Sequence, residues 1–344
     1  MPHTISTGHP MGEKILLAHG SGSKLSHDLI SKVLMPAIMN PVLAHMDDSA
    51  VLDISGRLAF TTDSYVVNPI FFPGGDIGKL AVCGTVNDLS MSGARPLYIS
   101  LALIIEEGLD IDDLRRIMES VRETTVEAGV QIVTGDTKVV DRGKADRLFI
   151  NTAGIGLIEE GLDISGSNAR PGDKIILSGG IGEHGMAVMS QREGLHFSLP
   201  VASDCAPLNH LVAAMIAASS NIHSLRDPTR GGLASTLNEF AKQSEVGIVI
   251  EEDKIPVHDG VRGLCELLGL DPLYIANEGK LVATVVDDDV ARVLSAMRNN
   301  KYAHQAAVIG EVTDEHRGRV VMKTRIGSSR IVDMPVGEVL PRIC

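Results

Sequence analysis

At 344 residues the chain has room for two domains of ordinary size. A hydrophobic content of 44% supports packed cores and excludes wholesale disorder. A formal charge of -13, no Trp and only 3% aromatics argue against nucleic-acid and anionic-membrane partners, which favour basic patches and stacking rings. No apolar run approaches the roughly 20 residues of a membrane span, and Met1–Met11 is polar with no signal-peptide core. Cys83, Cys205, Cys265 and Cys344 are scattered, with no C-x-x-C and no His pair at zinc spacing. That pattern points to a reducing cytoplasm, with the first three thiols buried as small core residues.

In chain order, residues 1–40 read as a polar arm followed by a glycine-rich loop, Gly20-Ser-Gly-Ser-Lys24. The loop fails the Walker spacing, so it is either a phosphate-wrapping loop or a plain turn. Residues 41–160 read as an α+β domain. Leu58–Thr62 is strand-like, Asp76–Met91 helical after a Gly74-Gly75 turn, and Leu97–Ile105 an apolar strand. Asp110 is placed to cap a helix whose apolar positions Leu114, Ile117, Met118 and Val121 recur at helical spacing. Val130–Thr134 and Leu148–Ile158 are further strands. Asn168–Asp173 is punctuation, and residues 161–330 alternate strands (174–178, 246–251, 280–286, 306–312) with helices (207–219, 231–243, 287–299), as in a layered α/β domain. Gly337 and the prolines of residues 331–344 read as an irregular tail.

Four aspartates stand at element ends beside small or hydroxyl residues: Asp63 in Thr-Thr-Asp-Ser, Asp88 in Val-Asn-Asp-Leu-Ser, Asp136 in Thr-Gly-Asp-Thr-Lys, and Asp227 in Arg-Asp-Pro-Thr-Arg. Singly each could be a cap or a turn. Together they suit Mg²⁺, which bridges carboxylates to substrate phosphates. Asn87 and Asp88 share a helix with Leu80 and Gly84, where a small residue leaves room for a ligand. Gly180-Ile-Gly-Glu-His-Gly185 matches G-x-G-x-x-G, but no clean βαβ unit follows, so a tight structural turn is the better reading. The last residue, Cys344, is either the end of a frayed tail or a covalent carrier on a swinging arm.

Thr61-Thr-Asp63, the run Gly74–Ala94, Gly135-Asp-Thr137 and Arg226-Asp-Pro-Thr-Arg-Gly-Gly232 come in the order of a known superfamily. They resemble the ATP-dependent enzymes related to aminoimidazole ribonucleotide synthetase, which include selenophosphate synthetase and thiamine-phosphate kinase. Pro341-Arg-Ile-Cys344 narrows the resemblance, which covers nearly the whole chain, to the HypE family of hydrogenase maturation factors.

The resemblance implies an N-terminal domain whose antiparallel sheet pairs with a second copy in a homodimer. It also implies a C-terminal α/β domain, with ATP between the two, and a mobile tail carrying Cys344. In such proteins the carbamoyltransferase HypF loads the terminal cysteine, ATP drives dehydration to a thiocyanate, and the cyano group passes to iron on a HypC–HypD complex. The expected nucleotide-binding set here is Lys24, Asp63, Lys79, Asn87, Asp88, Asp136, Thr137 and Asp227, with Mg²⁺ on Asp63, Asp88, Asp136 and Asp227. Cys344 is then the attachment point, and Lys138 and Glu278 are the candidates for proton handling. Three rivals predict different behaviour: a free small-molecule substrate, a scaffold without ATP binding, and a nicotinamide enzyme using Gly180–Gly185.

Overall fold

The computed structural model describes residues 14–45, 49–194, 201–337, 340 and 342–344. The polar arm Met1–Met11 and Pro341 lie outside the described residues. Lys24–Leu29 (α1) runs through a π-turn at Ile30–Leu34 into Met35–Ile38 (α2), a helical stretch where the sequence suggests only an arm and a loop. Its Leu29, Val33 and Leu34 are buried in the first core.

The N-terminal half is built on a sheet ordered β1-β6-β4-β5. Its strands are β1 (Arg57–Tyr65), β4 (Ala94–Glu106), β5 (Gln131–Val140) and β6 (Leu148–Ile158); Phe71–Phe72 (β2) and Gly75–Asp76 (β3) form a separate small ribbon. β6 pairs antiparallel with both β1 and β4, whereas β4 and β5 are parallel. The expected antiparallel sheet is therefore mixed, because the α-helical crossover between β4 and β5 returns the chain in the same direction.

That crossover is α4 (Ile111–Ala128), and it packs beside α3 (Ile77–Met91) on one face of the sheet. The Asp76 carboxylate caps α3 by accepting from the Gly78 and Lys79 backbone N–H groups at 2.8 and 3.1 Å. α3 is buried almost all round, and only Lys79 and Asp88 escape. Gly78 is required there: a Cβ would stand 2.7 Å from the Ile117 carbonyl oxygen of α4. The expected Asp110 cap is not made, since the Asp110 carboxylate pairs with Lys14 at 2.6 Å instead.

The C-terminal half carries a mixed sheet ordered β13-β12-β9-β11-β7-β10-β8 among the described residues. The strands are β7 (Lys174–Leu177), β8 (Ile222–Arg226), β9 (Gly247–Glu251), β10 (Val282–Val285), β11 (Ala307–Thr313), β12 (Val320–Lys323) and β13 (Ser329–Val332). Its helices are α5 (Glu183–Arg192), α6 (Asn209–Ala218), α7 (Gly232–Gln243), α8 (Asp259–Leu268) and α9 (Val290–Arg298). Gly180–Gly185 is a structural turn: the Gly182 N–H donates to Asn277 Oδ1 at 2.7 Å and Ile181 N–H to the Pro256 carbonyl. The two halves share apolar packing, because the first core extends to Val188, Cys205, Ala276 and, from the tail, Ile343.

Candidate active site

Three of the four aspartates meet where β1, α3 and the loop after β8 converge. Side chains alternate along a strand, and antiparallel partners share a face. Asp63 lies opposite fully buried Thr152, so it points to the inner face, towards α3. Thr61 Oγ1 donates to the Asp88 carboxylate at 2.8 Å, and Arg230 Nη2 stands 3.9 Å from Asp63. Burial, and then the neighbouring charge of Asp88, push the Asp227 carboxyl up to about 7. Burial also raises Asp88, with Asp63 adding to the rise against the Thr61 bond and Arg226 and Arg230. Asp88 and Asp227 border a cavity of about 550 Å³ together with Thr229, Arg230 and Thr236.

Glu278 sits beside this cluster. It is 3% exposed, and its Oε1 has no hydrogen-bond partner. Burial raises its pKa well above the ordinary carboxylate range, followed by Cys205, Asp227, Asp204 and Asp63. Cys344 is the other neighbour. The tail is docked, not free: the Cys344 carbonyl accepts from Val66 N–H at 3.3 Å and the Arg342 carbonyl from Asn68 N–H at 3.3 Å. The thiol lines a cleft of about 390 Å³ between the halves, with Ser64, Arg230, Ser235 and Tyr274. Burial and then the Glu278 charge push it up to about 12.

Asp136 does not join the cluster. It lies opposite Ala102 on the outer face of the sheet, three strands from Asp63, or roughly 14 Å. Its carboxylate accepts from Lys138 Nζ and from its own neighbour, Thr137 N–H, both at 2.8 Å. Asp136, Thr137 and Lys138 line a different cavity, of about 370 Å³, with His19, Gly20, Gly22 and the apolar Ile30, Leu34 and Val133. The glycine-rich loop thus lies over Asp136 and not over Asp63, and a Cβ on Gly20 would come 2.5 Å from the Val139 nitrogen. One chain therefore holds Lys138 and Glu278 at separate places. The metal set expected from the sequence divides for the same reason, and among the described residues no three His, Cys, Asp or Glu converge to hold an ion unaided.

Two further expectations change. Asn87 is a buried clip between the halves. Its Nδ2 donates to the Ala206 carbonyl at 3.1 Å and its Oδ1 accepts from Leu208 N–H at 2.8 Å, in a site 1% exposed. Lys79 turns back to the Gly74 carbonyl at 3.0 Å, nine residues and roughly 14 Å along α3 from Asp88. Lys24 opens α1 as an exposed residue beside the glycine-rich loop.

Residues 46–158 match the family model described as AIR synthase related protein, N-terminal domain, and 170–323 match its C-terminal domain. The carbamoyl dehydratase HypE of Azotobacter vinelandii is 52% identical over 330 residues, covering 95% of this chain and 96% of that protein. The crystal structure of a hydrogenase maturation protein HypE in complex with ATP superposes with a TM-score of 0.93 at 50% identity, covering 96% of this chain and 99% of that one. The chain belongs to the HypE family of carbamoyl dehydratases. The HypE chain of a HypE–HypF complex matches too, at 51% identity and a TM-score of 0.79, over 89% of this chain and 99% of that one.

Within this HypE-family site, sequence reasoning missed the residues that seat the tail and support Glu278. His184, fully buried, bridges the Ser203 hydroxyl at 2.8 Å and the Ile343 carbonyl at 2.9 Å. Asp204 accepts from the Glu278 and Gly279 N–H groups at 3.1 and 3.2 Å, and Lys280 stands 3.5 Å away to balance its charge. Arg342, quoted only as part of a motif, makes the most polar contacts of the tail. A charged residue two positions from a proposed carrier thiol was the one available signal.

Proposed function

We propose that this chain uses ATP to dehydrate a carbamoyl group carried on its own Cys344, giving a thiocyanate. In this reading HypF supplies the carbamoyl group, and the cyano group goes to iron held by a HypC–HypD complex during nickel–iron hydrogenase maturation. The position of the Cys344 thiol carries the proposal: it stands in the cleft between the halves, within electrostatic reach of Glu278, Asp63 and Arg230. A lone frayed end would have no reason to be there.

The carbamoyl oxygen takes the terminal phosphoryl group of ATP, which turns a poor leaving group into phosphate. The C–O bond then breaks, both N–H protons leave the nitrogen, and the S–C bond is kept. Glu278, unpaired at Oε1 and made basic by burial, is suited to receive a proton there. Asp88 and Asp227 line one cavity with Asp63 close by, a donor set that Mg²⁺ would complete with phosphate oxygens. A bound cation would neutralise the charge that now raises Asp88 and Asp227.

Asp136 and Lys138 reach such a site only from a second copy. The outer sheet face that carries them is apolar and open, with Phe60 70% and Leu58 46% exposed. Two such faces packed about a two-fold axis along the strands would set β5 of one copy against β1 of the other. Asp136, Lys138 and the Gly20 loop of one copy would then close the nucleotide site of its partner. Infrared spectroscopy of carbamoyl-loaded protein tests the reading: MgATP should produce a nitrile band in the wild type and none in Cys344→Ala. A wild-type sample that hydrolyses ATP without a nitrile band overturns it.

A further inference from the structure

The hydrogen bonds that hold the end of the tail run through its backbone and through Arg342, while the Cys344 side chain packs against the first core. The Arg342 carbonyl accepts from Asn68 N–H at 3.3 Å and from Arg192 Nη2 at 2.7 Å. The Ile343 carbonyl accepts from His184, and the Ile343 side chain is 3% exposed in the core. The Cys344 carbonyl accepts from Val66 N–H. Residues 342–344 therefore run antiparallel to residues 66–68 and are held to them through the backbone. The bonds that seat the tail on residues 66–68, Arg192 and His184 do not involve the Cys344 sulfur, so they can form whatever group the sulfur carries.

A contact away from the cargo can then bias whether the tail is in or out. Arg342 is the charged side chain of the docked segment. Its guanidinium pairs with Asp146, donates to the Val66 carbonyl at 3.0 Å and lies 5.9 Å from the Phe149 ring. Asp146 belongs to the β5–β6 connection, outside the carboxylate cluster. The ion pair is open to solvent on both sides, at 38% and 42% side-chain exposure. A pair so placed is weak and screened by salt, as a reversible fastening has to be. Arg342 also has a φ of 54°, a left-handed conformation that release would relieve.

We propose that Arg342, through Asp146 and Val66, is a positioning residue that latches the tail inward and sets how often Cys344 is presented to its own active site or to the loading enzyme. This rests on the carrier reading above. The latch can be tested apart from it, by timing alkylation of Cys344 with iodoacetamide and reading each cysteine by peptide mass. Asp146→Asn should speed Cys344 alkylation roughly twofold to fivefold, and Arg342→Ala further. Cys83, Cys205 and Cys265, all buried, should keep their wild-type rates.

High salt should speed the wild type and leave Asp146→Asn unchanged. The exchanged pair Asp146→Arg with Arg342→Asp should restore slow alkylation. In single turnovers, Asp146→Asn should load carbamoyl faster and dehydrate it more slowly. Unchanged Cys344 alkylation in both single variants, or equal acceleration at all four cysteines, would overturn the latch. A wild type whose tail is protected but which never dehydrates would instead overturn the carrier reading.

Discussion

Replacing Asn87 by Ala distinguishes a clip between the halves from a nucleotide ligand. The side chain is 1% exposed and satisfies the Ala206 carbonyl and the Leu208 N–H across the two halves. Truncation removes the partner of both groups in a place water cannot readily enter. Each buried group left unpaired costs about 1–3 kcal/mol, so the variant should lose about 2–6 kcal/mol of stability. At about 2.1 cal/mol/K of unfolding entropy per residue, a loss near the middle of that range lowers Tm by about 6 °C. Calorimetry gives the Tm, and equilibrium dialysis at a temperature where the variant is folded gives the ATP affinity. The clip predicts a large Tm loss with little change in affinity. An unchanged Tm with ATP binding weakened tenfold would refute it and return Asn87 to the nucleotide site.

Folding raises the Asp227 pKa to about 7, from about 3.9 in an unfolded chain, so its contribution to stability is complete below pH ~4 and is lost as pH rises through 7. Asp227→Asn should therefore be more stable than wild type at pH 8, by at most about 4 kcal/mol, with the gap closing below pH 4 in urea titrations. A gap independent of pH would contradict that assignment. At pH 8, MgCl₂ should stabilise the wild type and do little for Asp227→Asn. Glu278→Gln should slow single-turnover dehydration of carbamoyl-loaded protein on the order of 100-fold or more, with stability unchanged or raised, because it removes a buried acid with an unpaired oxygen. Dehydration at the wild-type rate would end its proton-handling role. If two copies share each site, Asp88→Asn and Asp136→Asn chains, each inactive alone, should recover about a quarter of wild-type activity when assembled together at random. No recovery would place both residues in one chain's own site.

Much of the fold was readable because local signals agreed with tertiary demands. α4 shows a clean apolar stripe, and the Gly74-Gly75 turn marks the start of α3 even though burial on nearly all sides blurs its periodicity. α1 and α2 were hidden by the glycine-rich loop before them and the π-turn between them. The aspartates were recognisable as residue types, but their grouping was not. Whether Asp63 and Asp136 meet depends on strand order and on which face each strand turns inward, and both are set by pairings more than 30 residues apart in sequence. The tail illustrates the same limit. Gly337 and the prolines forbid a helix, but an irregular segment can still be held in place, here by the backbone of residues 66–68.

The carrier chemistry of Cys344 is tested most directly by mass spectrometry of the C-terminal peptide. The protein is first loaded with a carbamoyl group by the transferase and then given MgATP. The carbamoylated Cys344 peptide should lose the mass of one water, and Cys344→Ala should show neither the load nor the loss. A carbamoyl mass that persists while ATP is consumed would contradict the account and favour a free small molecule as the substrate.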